Sequence, residues 1–233
     1  MSFVVIWPPF FVNFPAGMVG YYRQVAMPKR RSPFGLATRE LRVLRRLTTP
    51  ARIQDFLNEL PFNNEPRGET CMSPRRVLRT GKAHCMEGAM FAAAALRLHG
   101  RRPVIVDLCS VYEDDDHEVA LFGRPGRWGA ISKTGSPVLR YREPIYRSVR
   151  ELIMSYFHEY FMNSGRKTLR TYSNPVDLSR FDKRGWMTAE DDLWDIAQHM
   201  SDVPHHRILM PSQIKHLRKA DPIEIKAGRM LEK

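Results

Sequence analysis

The stretch Gly81-Lys82-Ala83-His84-Cys85-Met86-Glu87-Gly88-Ala89-Met90-Phe91-Ala92-Ala93-Ala94-Ala95-Leu96 decides how this chain is read. A loop with a glycine and polar residues delivers one cysteine to the start of an alanine-rich apolar run. That run is apolar nearly all round, so Cys85 to Leu98 is expected to be a buried helix at the centre of the fold. Gly100 supplies its C-terminal stop. A thiol at a helix start faces unpaired backbone N–H groups and the positive end of the helix dipole, and both favour the nucleophilic thiolate. The same N–H groups can hold the oxyanion of a tetrahedral intermediate. The plainer alternative is a small, inert core thiol.

Working upstream, Leu41, Leu44 and Leu47 form an apolar stripe in a helical pattern over 36–60. Thr49-Pro50 is an N-cap followed by proline at the first helical position, with Ile53, Phe56, Leu57 and Leu60 as the inward face of a second helix. Residues 61–84 read as loop, with a short helical turn at 74–79. Downstream, Val104 to Leu108, Glu118 to Phe122 and Trp128 to Ser132 read as three short strands. The last two are joined through a hairpin turn at Gly123-Arg124-Pro125-Gly126. After Pro144 a helix is expected to carry Val149, Leu152, Ile153, Tyr156, Phe157, Tyr160 and Phe161 on one stripe. Ala189 to Met200 is a further helix with Leu193, Trp194, Ile196, Ala197 and Met200 inward. Strands clustered after helices argue for an α+β fold with an antiparallel sheet.

Residues 1–26 differ from the rest. They are apolar, broken by Pro8, Pro9 and Pro15, and carry Arg23 as their only charge. They lack the basic start of a secretory signal and the unbroken length of a membrane span. They are expected to be a poorly structured extension, with Met27 as an alternative start and 27–233 as a single domain. Its core covers about 50–135, and 144–233 form a helical C-terminal part. The 233 residues carry a formal net charge of +12, spread over several arginine groups with no nucleic-acid-module signature beside them. A solvated basic surface accounts for them, and contact with nucleic acid is the competing reading. Cys71, Cys85 and Cys109 are an odd number without metal-type pair spacing, which fits a reducing, cytoplasmic setting. Cys71 and Cys109 read as structural.

His117 follows Glu113-Asp114-Asp115-Asp116 and opens a strand. It is the expected general base for the Cys85 thiol, with a surface histidine in a charged loop, or a metal site built on the neighbouring carboxylates, as the alternatives. His84 competes for that role, but adjacent residues at a helix start usually diverge. On these residues the chain resembles transglutaminase-like proteins of the papain-like thiol class. Gly81-x-x-x-Cys85-x-Glu87-Gly88 is similar to their nucleophile segment, His117 stands where their histidine strand falls, and Trp128 to Ser132 is similar to their third segment.

The resemblance implies a transglutaminase-like core, a central buried helix packed on a small antiparallel sheet with flanking helices. It also implies attack on an amide or ester carbonyl of a peptide or protein, without cofactor or metal. It departs at Ser132, where the family pattern has the orienting aspartate; a hydroxyl accepts a hydrogen bond but supplies no charge. Cys85, His117 and Ser132 are therefore the catalytic candidates, and Gln54, His84, Trp128 and Arg142 the candidates for substrate contacts. A non-catalytic binding module on the same scaffold is the alternative.

Overall fold

The structure is a computed structural model that describes residues 32–230. The expected extension at 1–26 and the alternative start at Met27 lie outside the described residues. The chain is mixed α+β. Helices α1 (Thr38–Arg46), α2 (Pro50–Glu59) and α3 (Pro74–Thr80) lead into the central α4 (Cys85–Leu98). Four strands then run as a meander: β1 (Val104–Cys109), β2 (His117–Arg124), β3 (Arg127–Ser132) and β4 (Arg142–Tyr146). The remaining elements are α5 (Val149–Met154), β5 (Thr171–Ser173), β6 (Val176–Asp177), α6 (Trp194–Asp202), β7 (His205–Arg207), α7 (Pro211–Ile214) and α8 (Pro222–Gly228).

Seven strands form one antiparallel sheet ordered β4-β3-β2-β1-β5-β7, with β6 also paired to β1. Both of its faces are covered. On one face α4 buries Met90, Phe91 and its alanines against Ile105, Ala120, Phe122 and Ile131, with α1, α2, α3 and α6 packed around it. On the other, Val106, Leu108, Val119, Leu121 and Ala130 meet Leu152, Ile153, Tyr156, Phe157 and Tyr160. Strand alternation sorts β2 between these cores: Val119 and Leu121 point to the second, Ala120 and Phe122 to the first.

Local chemistry explains the element boundaries. Thr49 Oγ1 accepts from Arg52 N at 3.2 Å and caps α2. Ser73 caps α3 in the same way, through Arg76 N at 3.3 Å. At the start of α4 the Glu87 carboxylate accepts from His84 N at 3.0 Å, half of a capping box. Gly88 lets that helix lie directly on β3, because a Cβ there would come within 2.3 Å of Lys133 Cβ.

Three expectations are corrected. The helix after Pro144 ends at Met154. Beyond it, Tyr156 N bonds Ile153 O and Phe157 N bonds Met154 O, i→i−3 bonds that tighten the chain into turns. Tyr156, Phe157 and Tyr160 are still buried, Phe161 only partly, and the Tyr160 hydroxyl donates to the Asp115 carbonyl. Trp194, expected inward, is 48% exposed, because the helix begins only at that residue and it precedes the buried stripe of Ile196 and Met200. The sheet is also larger than the three expected strands. β4 to β7 are short and largely polar, and they exist through pairing: β4 with β3, β5 and β6 with β1, and β7 with β5.

Candidate active site

Cys85 opens α4 at the wall of a cavity of about 760 Å³. Its Sγ lies 3.9 Å from His84 Nδ1 and 4.0 Å from the Asp116 carbonyl. The Glu118 carboxyl stands beside it, and the backbone amides of Met86 and Glu118 also act on the thiol. Burial, with the Glu118 charge second, pushes the thiol well above its ordinary range, and the two amides oppose that. Glu118 is itself raised, first by burial, and its Oε2 has no hydrogen-bond partner among the described residues.

The His84 ring is fixed at its far side. Its Nε2 lies 2.9 Å from the Thr70 carbonyl, which can only accept, so Nε2 carries a proton and Nδ1 faces the thiol. Glu87 Oε1 lies 3.4 Å from the same nitrogen. Burial alone would lower the ring's pKa; the hydrogen bond and charge of Glu87, with Thr70 and Glu65, outweigh it and raise the value to about 8. Glu87 is fully buried and also accepts from Thr70 Oγ1 (2.8 Å), Met72 N (3.0 Å) and Asn63 Nδ2 (3.1 Å). Burial would raise this carboxyl, but His84 and these donors hold it at about 2. The result is a thiol, an imidazole and a buried carboxylate in sequence, assembled by four consecutive residues of one helix start.

The expected Cys85–His117 pair is not made. His117 follows the parity of Val119 and Leu121 and so leaves β2 on the face away from α4, whereas Glu118 shares the face of Ala120. His117 is 5% exposed, and its Nε2 lies 2.7 Å from Ser132 Oγ. That hydroxyl donates to the Leu139 carbonyl at 2.5 Å, so it accepts from His117 Nε2–H and the ring is the Nε2 tautomer. Burial lowers the ring's pKa to about 4, with the Leu139 carbonyl opposing. The expected contact of His117 with Ser132 is present, then, but the ring is held neutral and makes no hydrogen bond to the Cys85 thiol, although both residues line the same cavity.

The other candidates are structural. Gln54 is buried and clamps β3 from α2: its Nε2 donates to Ser132 O at 2.7 Å and its Oε1 accepts from Ser132 N at 2.9 Å. Trp128 packs at the margin of the second core. Arg142 stacks 4.1 Å over the Tyr156 ring and bonds Ser155 Oγ and Glu159 Oε2, so it is committed within the protein. Sequence reasoning missed Glu118 because alternation, not residue type, decides which of two adjacent strand residues meets the helix. It ranked His84 low, although Glu87 three residues on was a readable sign that the ring has an anchor.

The cavity has a charge character opposite to that of the whole chain. Glu65, Asp114, Asp115, Asp116, Glu118 and Glu159 line it, and no lysine or arginine among the described residues does. The chain matches no model of a known protein family and no curated protein. No helix among the described residues is long and apolar enough to cross a membrane.

Proposed function

We propose that this chain is a cysteine-dependent acyl-transfer protein in which Cys85 attacks an amide or ester carbonyl and His84, rather than His117, carries the proton. One observation carries this reading: the 3.9 Å approach of His84 Nδ1 to Cys85 Sγ at the cavity wall, with Nε2 committed to Thr70. The thiol proton passes to Nδ1, and the imidazolium is balanced by Glu87. The sulfur bonds to the carbonyl carbon, and the oxyanion develops beside the amides at the start of α4. Collapse expels an amine or alcohol that takes the Nδ1 proton, leaving a thioester for water or a second amine to attack. The acidic lining favours a cationic substrate, either an amine acceptor or a basic peptide. The transglutaminase-like likeness belongs to this reading. So does a reducing, cytoplasmic setting, which the three free cysteines support.

Alkylation of the native protein followed by peptide mapping tests it. Cys85 is expected to label faster than Cys71 and Cys109, with a rate that rises through pH 8 as His84 loses its proton. His84→Gln is expected to slow it by about 100-fold, the lower end for loss of a general base, and His117→Gln to leave it unchanged. Equal labelling of all three thiols, or sensitivity to His117 and not His84, overturns the reading. An acyl adduct at Cys85 after treatment with an activated ester separates acyl transfer from mere reactivity. The raised Cys85 thiol favours a second reading, a binding module that holds a cationic ligand in the acidic cavity without chemistry. Amine binding with no acyl adduct identifies that case.

A further inference from the structure

We propose that Asp107, Cys109 and His205 form a site for a zinc-class divalent cation, separate from the Cys85 site and independent of the reading given for it. Asp107 and Cys109 are two apart on β1 and so project from one face. His205 reaches them from β7, where it pairs with Ser173 of β5, and Ser173 Oγ accepts from Asp107 N at 3.0 Å. The intervening residue is a serine, small enough to let the imidazole cross β5.

The spacing fits a metal. Cys109 Sγ lies 3.2 Å and His205 Nε2 3.9 Å from Asp107 Oδ2, and the three ligand atoms all fall within 4.8 Å of one another. Ligands at about 2.0–2.3 Å around a tetrahedral ion are separated by roughly 3.3–3.7 Å. One sulfur, one imidazole and one carboxylate are the donor types zinc accepts, with the fourth position left for water. The alternative of a thiol nucleophile with its base is disfavoured, because the Cys109 thiol donates to Asp107 Oδ2 and to no imidazole.

A second observation points the same way. Asp107 is 6% exposed, yet its Oδ1 is buried without a hydrogen-bond partner among the described residues. His205 is partly exposed, which gives the ion a path from solvent.

Cobalt titration of the chelator-treated full chain, without a histidine tag, tests the proposal. One equivalent is expected to produce a thiolate-to-cobalt charge-transfer band together with visible bands of tetrahedral intensity, and zinc is expected to displace both. Cys109→Ser is expected to remove the charge-transfer band. His205→Gln is expected to weaken binding by about tenfold or more, and Cys85→Ala and Cys71→Ala to leave both bands in place. Absence of the band in the wild-type chain, its survival in Cys109→Ser or its loss in Cys85→Ala overturns the site. Should Cys109→Ser fail to fold, His205→Gln decides, its fold checked by circular dichroism; unchanged cobalt affinity there overturns the site.

Discussion

Two histidines with opposite electrostatics define the molecule at the scale of residues. His117 is buried and neutral, with a folded pKa of about 4 against an ordinary value near 6.5. Between those values the unfolded chain binds the proton more readily, so stability falls as pH drops from 6.5 towards 4. The loss by pH 4.5 is about 2–3 kcal/mol. Urea titrations at pH 7 and 4.5 should show it in the wild type and a much smaller difference in His117→Gln, which keeps a donor for Ser132. His84 runs the other way. Its folded pKa of about 8 lies above the unfolded value, so its contribution is complete below about pH 6.5 and is lost as pH rises through 8. That contribution is about 2 kcal/mol. It should be visible as a stability difference between wild type and His84→Gln at pH 6 that narrows by pH 9. Glu87→Gln should bring the His84 titration, followed by NMR, back below 7, because the carboxylate is the group that outweighs burial.

Among elements, the contact between α4 and the end of β3 has little tolerance. Gly88→Ala should destabilise the protein by about 1–3 kcal/mol despite a helix-propensity gain of about 1 kcal/mol, because its Cβ would overlap Lys133. Calorimetry on that variant, with an exposed alanine substitution such as Arg39→Ala as control, measures the difference. The elements also differ in how openly the chain announces them. α4 and β1 to β3 were readable because their apolar residues fall in continuous or alternating runs that fit only one burial. β5, β6 and β7 have two or three residues each, and β7 is His205-His206-Arg207. No hydrophobic period exists over so short a span. Their backbone groups become strand only because β1 offers an edge to β5 and β6, and β5 in turn offers one to β7. α5 shows the opposite limit: its aromatic stripe continues to Tyr160, but the stripe specifies burial, and the turns after Met154 bury the same rings without a helix.

At the largest scale the described residues form a sheet with a core on each face, and the two cores meet through the same strands. Phe91→Ala on one side and Leu152→Ala on the other should each cost about 2–5 kcal/mol. Both should lower one shared thermal transition and not split it, since neither core can keep its face of the sheet when the other is lost. Two transitions in calorimetry would show that the faces melt separately. Charge is also organised at this scale. The chain is strongly basic, yet the cavity beside Cys85 is lined by carboxylates, so the net charge does not describe the site.

The sequence by itself determined that a cysteine begins a buried central helix, that three strands follow it, and that His117 and Ser132 lie where they can meet. Those features depend on local pattern and on neighbours in register. Only the tertiary structure decided which groups the thiol faces. A strand places adjacent residues on opposite faces, so the one-residue difference between His117 and Glu118 depends on which face α4 covers. In the same way Asp107, Cys109 and His205 are brought together by the pairing of β1, β5 and β7, a long-range arrangement that no local spacing in the chain encodes.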